Sequence, residues 1–142
     1  MALVHTFTNL ALPILMLPIL KPNHKYLAYG YLSFAIMATL ILVVGTLFSL
    51  LLIPLSEEYV KAGSTMTSNF ETMGILLKKA SFFAYHMGMA LWSIGGLLFV
   101  AALYQSKLIP RVMSAWGIIG YFFLVSGSML EIYEHHDIIE IV

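Results

Sequence analysis

Four long apolar stretches alternate with short polar ones along the chain. None shows the strict alternation of a half-buried strand, and no internal repeat is evident. The first stretch, 2–20, is interrupted by His5, Thr6, Thr8 and Asn9 and then by Pro13 and Pro18. Each proline removes a backbone donor and kinks a helix, which membranes tolerate when neighbouring groups satisfy the freed carbonyls. The turn Lys21 to Lys25 is short enough to fold the first two helices into an antiparallel hairpin. The second stretch, from Tyr26 to Ile53, carries no charge, and Pro54 is expected to mark its end. The region from Ser56 to Lys79 is the longest polar one. Within it, Ser68 and Glu71 have the spacing of a capping box, so the third helix is expected to start near Asn69, with Lys78 and Lys79 at headgroup level. The apolar run Ala80 to Tyr104 follows, then the polar turn Gln105 to Arg111, with Pro110 where a first helical turn accepts it. A fourth apolar stretch covers Val112 to Tyr133, and the tail returns to polar character. The pattern predicts an all-α polytopic transmembrane helical bundle of about four helices, 2–20, 26–54, 69–104 and 112–134, in a single domain over 1–142.

Composition narrows the picture. Of the 142 residues, 61% are hydrophobic and only 10% charged, against about 25% in an ordinary soluble domain. A water-soluble fold of this size has too little interior to hide that much apolar surface, whereas lipid-facing helices can be apolar all round. Net charge is zero, which gives no footing for nucleic acid. The absence of cysteine excludes disulfides, thiol catalysis and thiolate metal sites. Met1 to Leu10 holds no Lys or Arg, so the positive region of a signal peptide is not evident.

Charge also orients the expected bundle. With four spans, the turns 21–25 and 105–111 share one side, which carries Lys21, Lys25, Lys107 and Arg111 and no acid. The other side holds Lys61, Lys78 and Lys79 with all seven acids. Basic residues in short turns set orientation, so these two turns are expected in the cytoplasm and both termini outside. The same four cations are candidates for contact with lipid headgroups, Arg111 through phosphate or helix-end carbonyls. Tyr26, Tyr29, Tyr31, Tyr104 and Tyr133 lie near span ends, as interfacial anchors do.

Three groups of residues could carry chemistry. His86 is the one ionisable side chain well inside a span, with Met89 close by at helical spacing and Ser93 two turns along. A histidine there reads as a proton relay or a contact to a ligand, metal or haem. It also reads as a neutral ring bonded to another helix. The densest set of metal-ligating types is Glu131, Glu134, His135, His136 and Asp137. Glu131 and His135 are four apart and share a face if the helix continues, a possible zinc or other divalent site. Neither HExxH nor HxxEH is present, and a solvated acidic helix end is the alternative. Finally, small residues recur at Ala80, Ala84 and Gly88, then Gly95 and Gly96, with Gly45 and Ser49 before them and Gly117, Gly120 and Gly127 after. Such rows mark seams where helix backbones approach closely.

The stretch from Phe82 to Tyr121 carries a more particular signature. An early helix histidine (His86) is followed by the small pair Gly95 and Gly96. Next comes a turn of the form YxSxLIPR at Tyr104 to Arg111, then a helix opening SxxGxxG at Ser114, Gly117 and Gly120. This resembles the domain-of-unknown-function 4386 family of bacterial integral membrane proteins, and the segment from Leu17 to Ile36 is similar to its short basic turn and flanking helices. The resemblance implies a bacterial inner-membrane protein. Members are usually longer by a helix at each end, so the chain looks like a short or truncated member.

No nucleophile elbow or catalytic triad can be assembled. The sequence therefore reads as a non-enzymatic membrane module that binds a small hydrophobic ligand or lipid, or assembles with itself or another membrane protein. Two alternatives remain open. One is a metal- or haem-dependent membrane enzyme or electron carrier using His86 or the Glu131–Asp137 cluster. The other is an oligomeric transporter or channel component with His86 on its path.

Overall fold

The computed structural model describes the backbone of residues 2–62 and 67–140, and the side chains within them except those at 2, 3, 5, 23, 62, 67, 68 and 135–140. Three helical elements follow one another: α1 (Ala2–Ala62), α2 (Thr67–Ser106) and α3 (Arg111–Glu140). No strand occurs among the described residues. α1 is two helices in one run. Its backbone leaves helical geometry at His24 (φ −144°, ψ 67°). The break separates an N-terminal arm, apolar over Thr6–Pro22, from a long arm, His24–Lys61. The fold is thus an all-α bundle of four helical segments. Three of them, His24–Lys61, Asn69–Ser106 and Arg111–Glu134, are long and apolar enough to cross a membrane, and the N-terminal arm is shorter.

The break at His24 does what the short basic turn predicts. Met16, Leu17 and Leu20 of the arm pack against Leu27, Ala28 and Tyr31 of the long arm and against Leu98, Phe99, Ala102 and Leu103 of α2. Thr6 returns to the level of Leu42 to Ser49. The arm therefore folds back antiparallel along its own helix.

Pro54 does not end α1, which runs on to Ala62. Proline costs one backbone bond here, but the last turns are held by α2. Leu55 lies against Gly74, and the Tyr59 and Phe70 rings meet edge to face at 6.2 Å. A span of 38 residues is about 57 Å long, well beyond the roughly 30 Å of bilayer hydrocarbon. The α1–α2 hairpin is accordingly longer than the hydrocarbon is thick. α2 begins at Thr67, and the side chain of the expected capping serine, Ser68, lies outside the described residues.

Central to the bundle is α2, which packs against both other elements, while α1 and α3 barely meet. At its end, Lys107 takes a left-handed conformation (φ 55°), the usual way a helix stops, here without glycine. Pro110 then acts as the cap of α3. Its carbonyl receives the N–H groups of Met113 (3.0 Å) and Ser114 (3.4 Å), one place earlier than the first-turn position expected from sequence.

Candidate ligand cleft and basic end

The α1–α2 seam fixes the site. Its small residues recur every seven positions on α2: Gly74, Ser81, Gly88, Gly95 and Ala102. Each faces α1. A Cβ built on Gly45 would lie 3.1 Å from the Ala84 Cβ, one on Gly88 2.7 Å from the Leu42 Cγ, and one on Gly95 3.1 Å from the Phe34 Cβ. Ala38 and Ala102 are wholly buried. A period of seven keeps one stripe facing its partner along a left-handed supercoil, and absent side chains let the backbones close. The row Ala80, Ala84, Gly88 read from sequence touches this stripe at only part of its length.

Between Gly45 and Ser49 the seam turns polar. The Ser81 hydroxyl sits 3.0 Å from the Gly45 carbonyl and 2.7 Å from the Ser49 hydroxyl. Ser49 also reaches the Gly45 carbonyl at 3.4 Å. Two hydroxyl protons thus serve one carbonyl and one another, and the interhelical pair is satisfied without water. Beside it opens a cleft of about 360 Å³ lined by Thr6 of the N-terminal arm, Leu42, Gly45, Thr46 and Ser49 of the long arm, and Ser81, Tyr85 and Met89 of α2. Three helical segments build it, and five of its lining side chains carry hydroxyls. The Thr46 hydroxyl donates to the Leu42 carbonyl at 2.9 Å, which leaves its lone pairs as acceptors. The volume lies in the range of small-molecule sites. Gly45 is twenty residues along α1 from Lys25. At helical rise that is roughly 30 Å, so the cleft lies well away from the basic turns.

The residues singled out from sequence fall in different places. Met89 lines the cleft, whereas His86 and Ser93 do not. The His86 ring, part-buried, rests on Phe82 at 4.3 Å and meets the Tyr85 ring edge-on at 5.4 Å. It therefore touches the cleft through one of its walls. Ser93 is fully buried and donates to the Met89 carbonyl at 2.7 Å, a satisfied structural hydroxyl. On α3, Glu131 and Glu134 are exposed, and the helix does continue through Glu140, which keeps Glu131 and His135 on one face. The side chains of His135, His136 and Asp137 lie outside the described residues. Among the described residues no three His, Asp or Glu side chains are grouped to hold a metal. Thr6, Thr46, Ser81 and Tyr85 were not picked out from sequence as site residues. The available signal was the set of hydroxyls at helical spacing inside stretches otherwise apolar.

At the other end of the bundle the two short turns come together, since Leu20 and Ala102, just before them, share one core cluster. Lys21 lies over the Tyr29 ring (5.8 Å), Lys25 over Tyr26 (5.1 Å) and Arg111 over Tyr104 (5.9 Å). All four cations, Lys107 included, are exposed.

Between α2 and α3 the packing differs. The Tyr121 ring covers Gly96 and meets Trp92 edge-on at 5.8 Å, and Val100 covers Gly117. No curated protein and no solved structure matches the chain. The family model described as "Domain of unknown function (DUF4386)" matches residues 1–142, the whole length, and the chain, with its three apolar helices long enough to cross a membrane, belongs to that family.

Proposed function

We propose that the protein is a non-enzymatic membrane module that takes a lipid or other small amphiphile into the cleft between the N-terminal arm, α1 and α2. The observation that supports this reading is the concentration of hydroxyls there. Thr6, Thr46, Ser49, Ser81 and Tyr85 line a single cavity with Leu42 and Met89. A guest with a hydroxyl finds acceptor lone pairs on these oxygens, and its chain finds Leu42 and Met89. The module sits in a bacterial inner membrane, with its short basic turns in the cytoplasm and both termini on the other side. Its seams of small residues also fit it for assembly with a second copy or another membrane protein.

The test is lipid extraction and mass spectrometry on protein purified in mild detergent, with Thr46→Trp as the cleft-filling variant. Thr46 is exposed, so the larger side chain enters the cleft without entering the seam. The wild type should carry a lipid or amphiphile in stoichiometric amount and the variant should not, at equal helicity and monodispersity. Equal retention by both would overturn the reading. Visible absorption and metal content of the same preparation test the cofactor alternative: a Soret band or stoichiometric metal would move the function to His86 or to the Glu131–Asp137 cluster.

A further inference from the structure

The geometry points to a second lipid site, at the opposite end from the cleft: the turns 21–25 and 107–111 together form a docking surface for the headgroup of an anionic phospholipid. Four cations, Lys21, Lys25, Lys107 and Arg111, are gathered at one end of the bundle by the hairpin at His24 and the left-handed stop at Lys107. None has a carboxylate partner among the described residues. The ion pair found there, Lys61 with Glu58 at 2.8 Å, belongs to the far end. Like charges gathered at one end, with no acid among them, raise a positive potential that draws in an anion.

The tyrosines show how these cations are held. Lys21, Lys25 and Arg111 each lie over a ring, Tyr29, Tyr26 and Tyr104 in turn. A ring face interacts with the charge but accepts none of its in-plane hydrogen bonds. The guanidinium of Arg111 therefore keeps its fork of N–H donors available for two phosphate oxygens. The aromatic contacts fix where the charges sit along the membrane normal, because Tyr26, Tyr29 and Tyr104 are themselves exposed and of the type that settles at headgroup level. α3 adds the N–H groups of Arg111 and Val112, since the Pro110 carbonyl takes those of Met113 and Ser114 instead. A zwitterionic headgroup brings its own ammonium into this field and gains less. The site thus selects net negative charge, and it selects a lipid over a free anion because the tyrosines bury its glycerol and upper chain.

The experiment is native mass spectrometry of the full chain released from nanodiscs of phosphatidylcholine with a minor share of phosphatidylglycerol. Retained phosphatidylglycerol should exceed its share in the disc. Lys107→Gln with Arg111→Gln should lower its apparent affinity about thirtyfold, and Lys21→Gln with Lys25→Gln should do likewise. Lys78→Gln with Lys79→Gln, which removes the same charge at the far end, should leave it unchanged, and so should Thr46→Trp. Retention in proportion to disc composition would overturn the proposal, as would equal loss in the far-end variant. Displacement of the lipid by millimolar inorganic phosphate would also overturn it, by showing a site for the free ion. Loss caused by Thr46→Trp alone would assign the lipid to the cleft instead.

Discussion

α2 meets its two neighbours in different ways. Toward α1 it presents a stripe in which side chains are nearly absent, and the helices are held by backbone proximity and the Ser49–Ser81–Gly45 bonds. Toward α3 it interlocks large groups: Tyr121 over Gly96, Trp92 against Tyr121, Val100 over Gly117. α3 turns most of its bulk outward, with Trp116, Phe122, Phe123 and Leu130 exposed. In lipid, exposed apolar side chains cost nothing, and no hydrophobic force pushes helices together. Association then rests on close packing, which the α1 seam has over its whole length and the α3 seam at a few points. The hairpin of α1 and α2 should behave as the durable unit, and α3 should part first.

The most severe test is Gly45→Val. A Cβ at this position already sits 3.1 Å from the Ala84 Cβ, with the Ser81 carbonyl at 3.5 Å and the Tyr85 nitrogen at 3.6 Å. Two of those three atoms are backbone and cannot rotate away. The γ-methyl groups have to push α2 aside, at about 3 kcal/mol, the upper part of the overpacking range. Thermal unfolding in detergent should show a clear loss, and hydrogen exchange should rise in both α1 and α2. An unchanged midpoint would mean that the seam is not the durable unit.

A smaller effect is expected at Gly96→Ala, where the added methyl meets the Tyr121 ring. The obstacle is the far end of a side chain on a loosely held helix, so it can yield. The cost should be about 1–2 kcal/mol, confined to α3, and read as faster exchange there with α1 and α2 unchanged. In a Tyr121→Ala background the same substitution should cost almost nothing, because the two residues are in contact and their effects do not add. Exchange rising equally in α1 would erase the distinction between the two seams.

Much of this architecture was legible in the sequence because its causes are local. Charge-free runs of twenty or more residues dictate helices, and the turn at Lys21 to Lys25 is too short for anything but a hairpin. What escaped was set by pairing. Pro54 looks like a stop in isolation, yet Leu55 and Tyr59 beyond it find Gly74 and Phe70 and keep the helix going. A four-residue spacing at Ala80, Ala84 and Gly88 is easy to see within one helix. The seven-residue spacing of Gly74, Ser81, Gly88, Gly95 and Ala102 gains meaning only beside the helix that reads it. For the same reason His86 drew attention as the odd ionisable residue, while the cleft is made of hydroxyls unremarkable one at a time. They converge because the N-terminal arm brings Thr6 across to Thr46 and Ser81.

The smallest effect expected is at Ser114, and its sign is what matters. The residue is fully buried in the first turns of α3, and its hydroxyl has no hydrogen-bond partner among the described residues. Ser33, Ser93 and Ser126, in contrast, bond the carbonyl four residues earlier. For Ser114 that carbonyl is Pro110's, and it already receives the N–H groups of Met113 and Ser114 itself. A buried hydroxyl without a partner costs free energy, so Ser114→Ala should leave stability unchanged or raise it by up to about 1 kcal/mol. This is the reverse of what removing a seam hydroxyl such as Ser81 would do. Ser114 lies one turn from Arg111, at the basic end. Thermal unfolding measured first in plain detergent and then with added phosphatidylglycerol therefore gives two readings. A neutral or stabilising result in both assigns Ser114 to packing alone. A loss that appears only with the anionic lipid would mean that the headgroup reaches below Arg111 and satisfies the hydroxyl, and the looser seam would then be the one tuned by its surroundings.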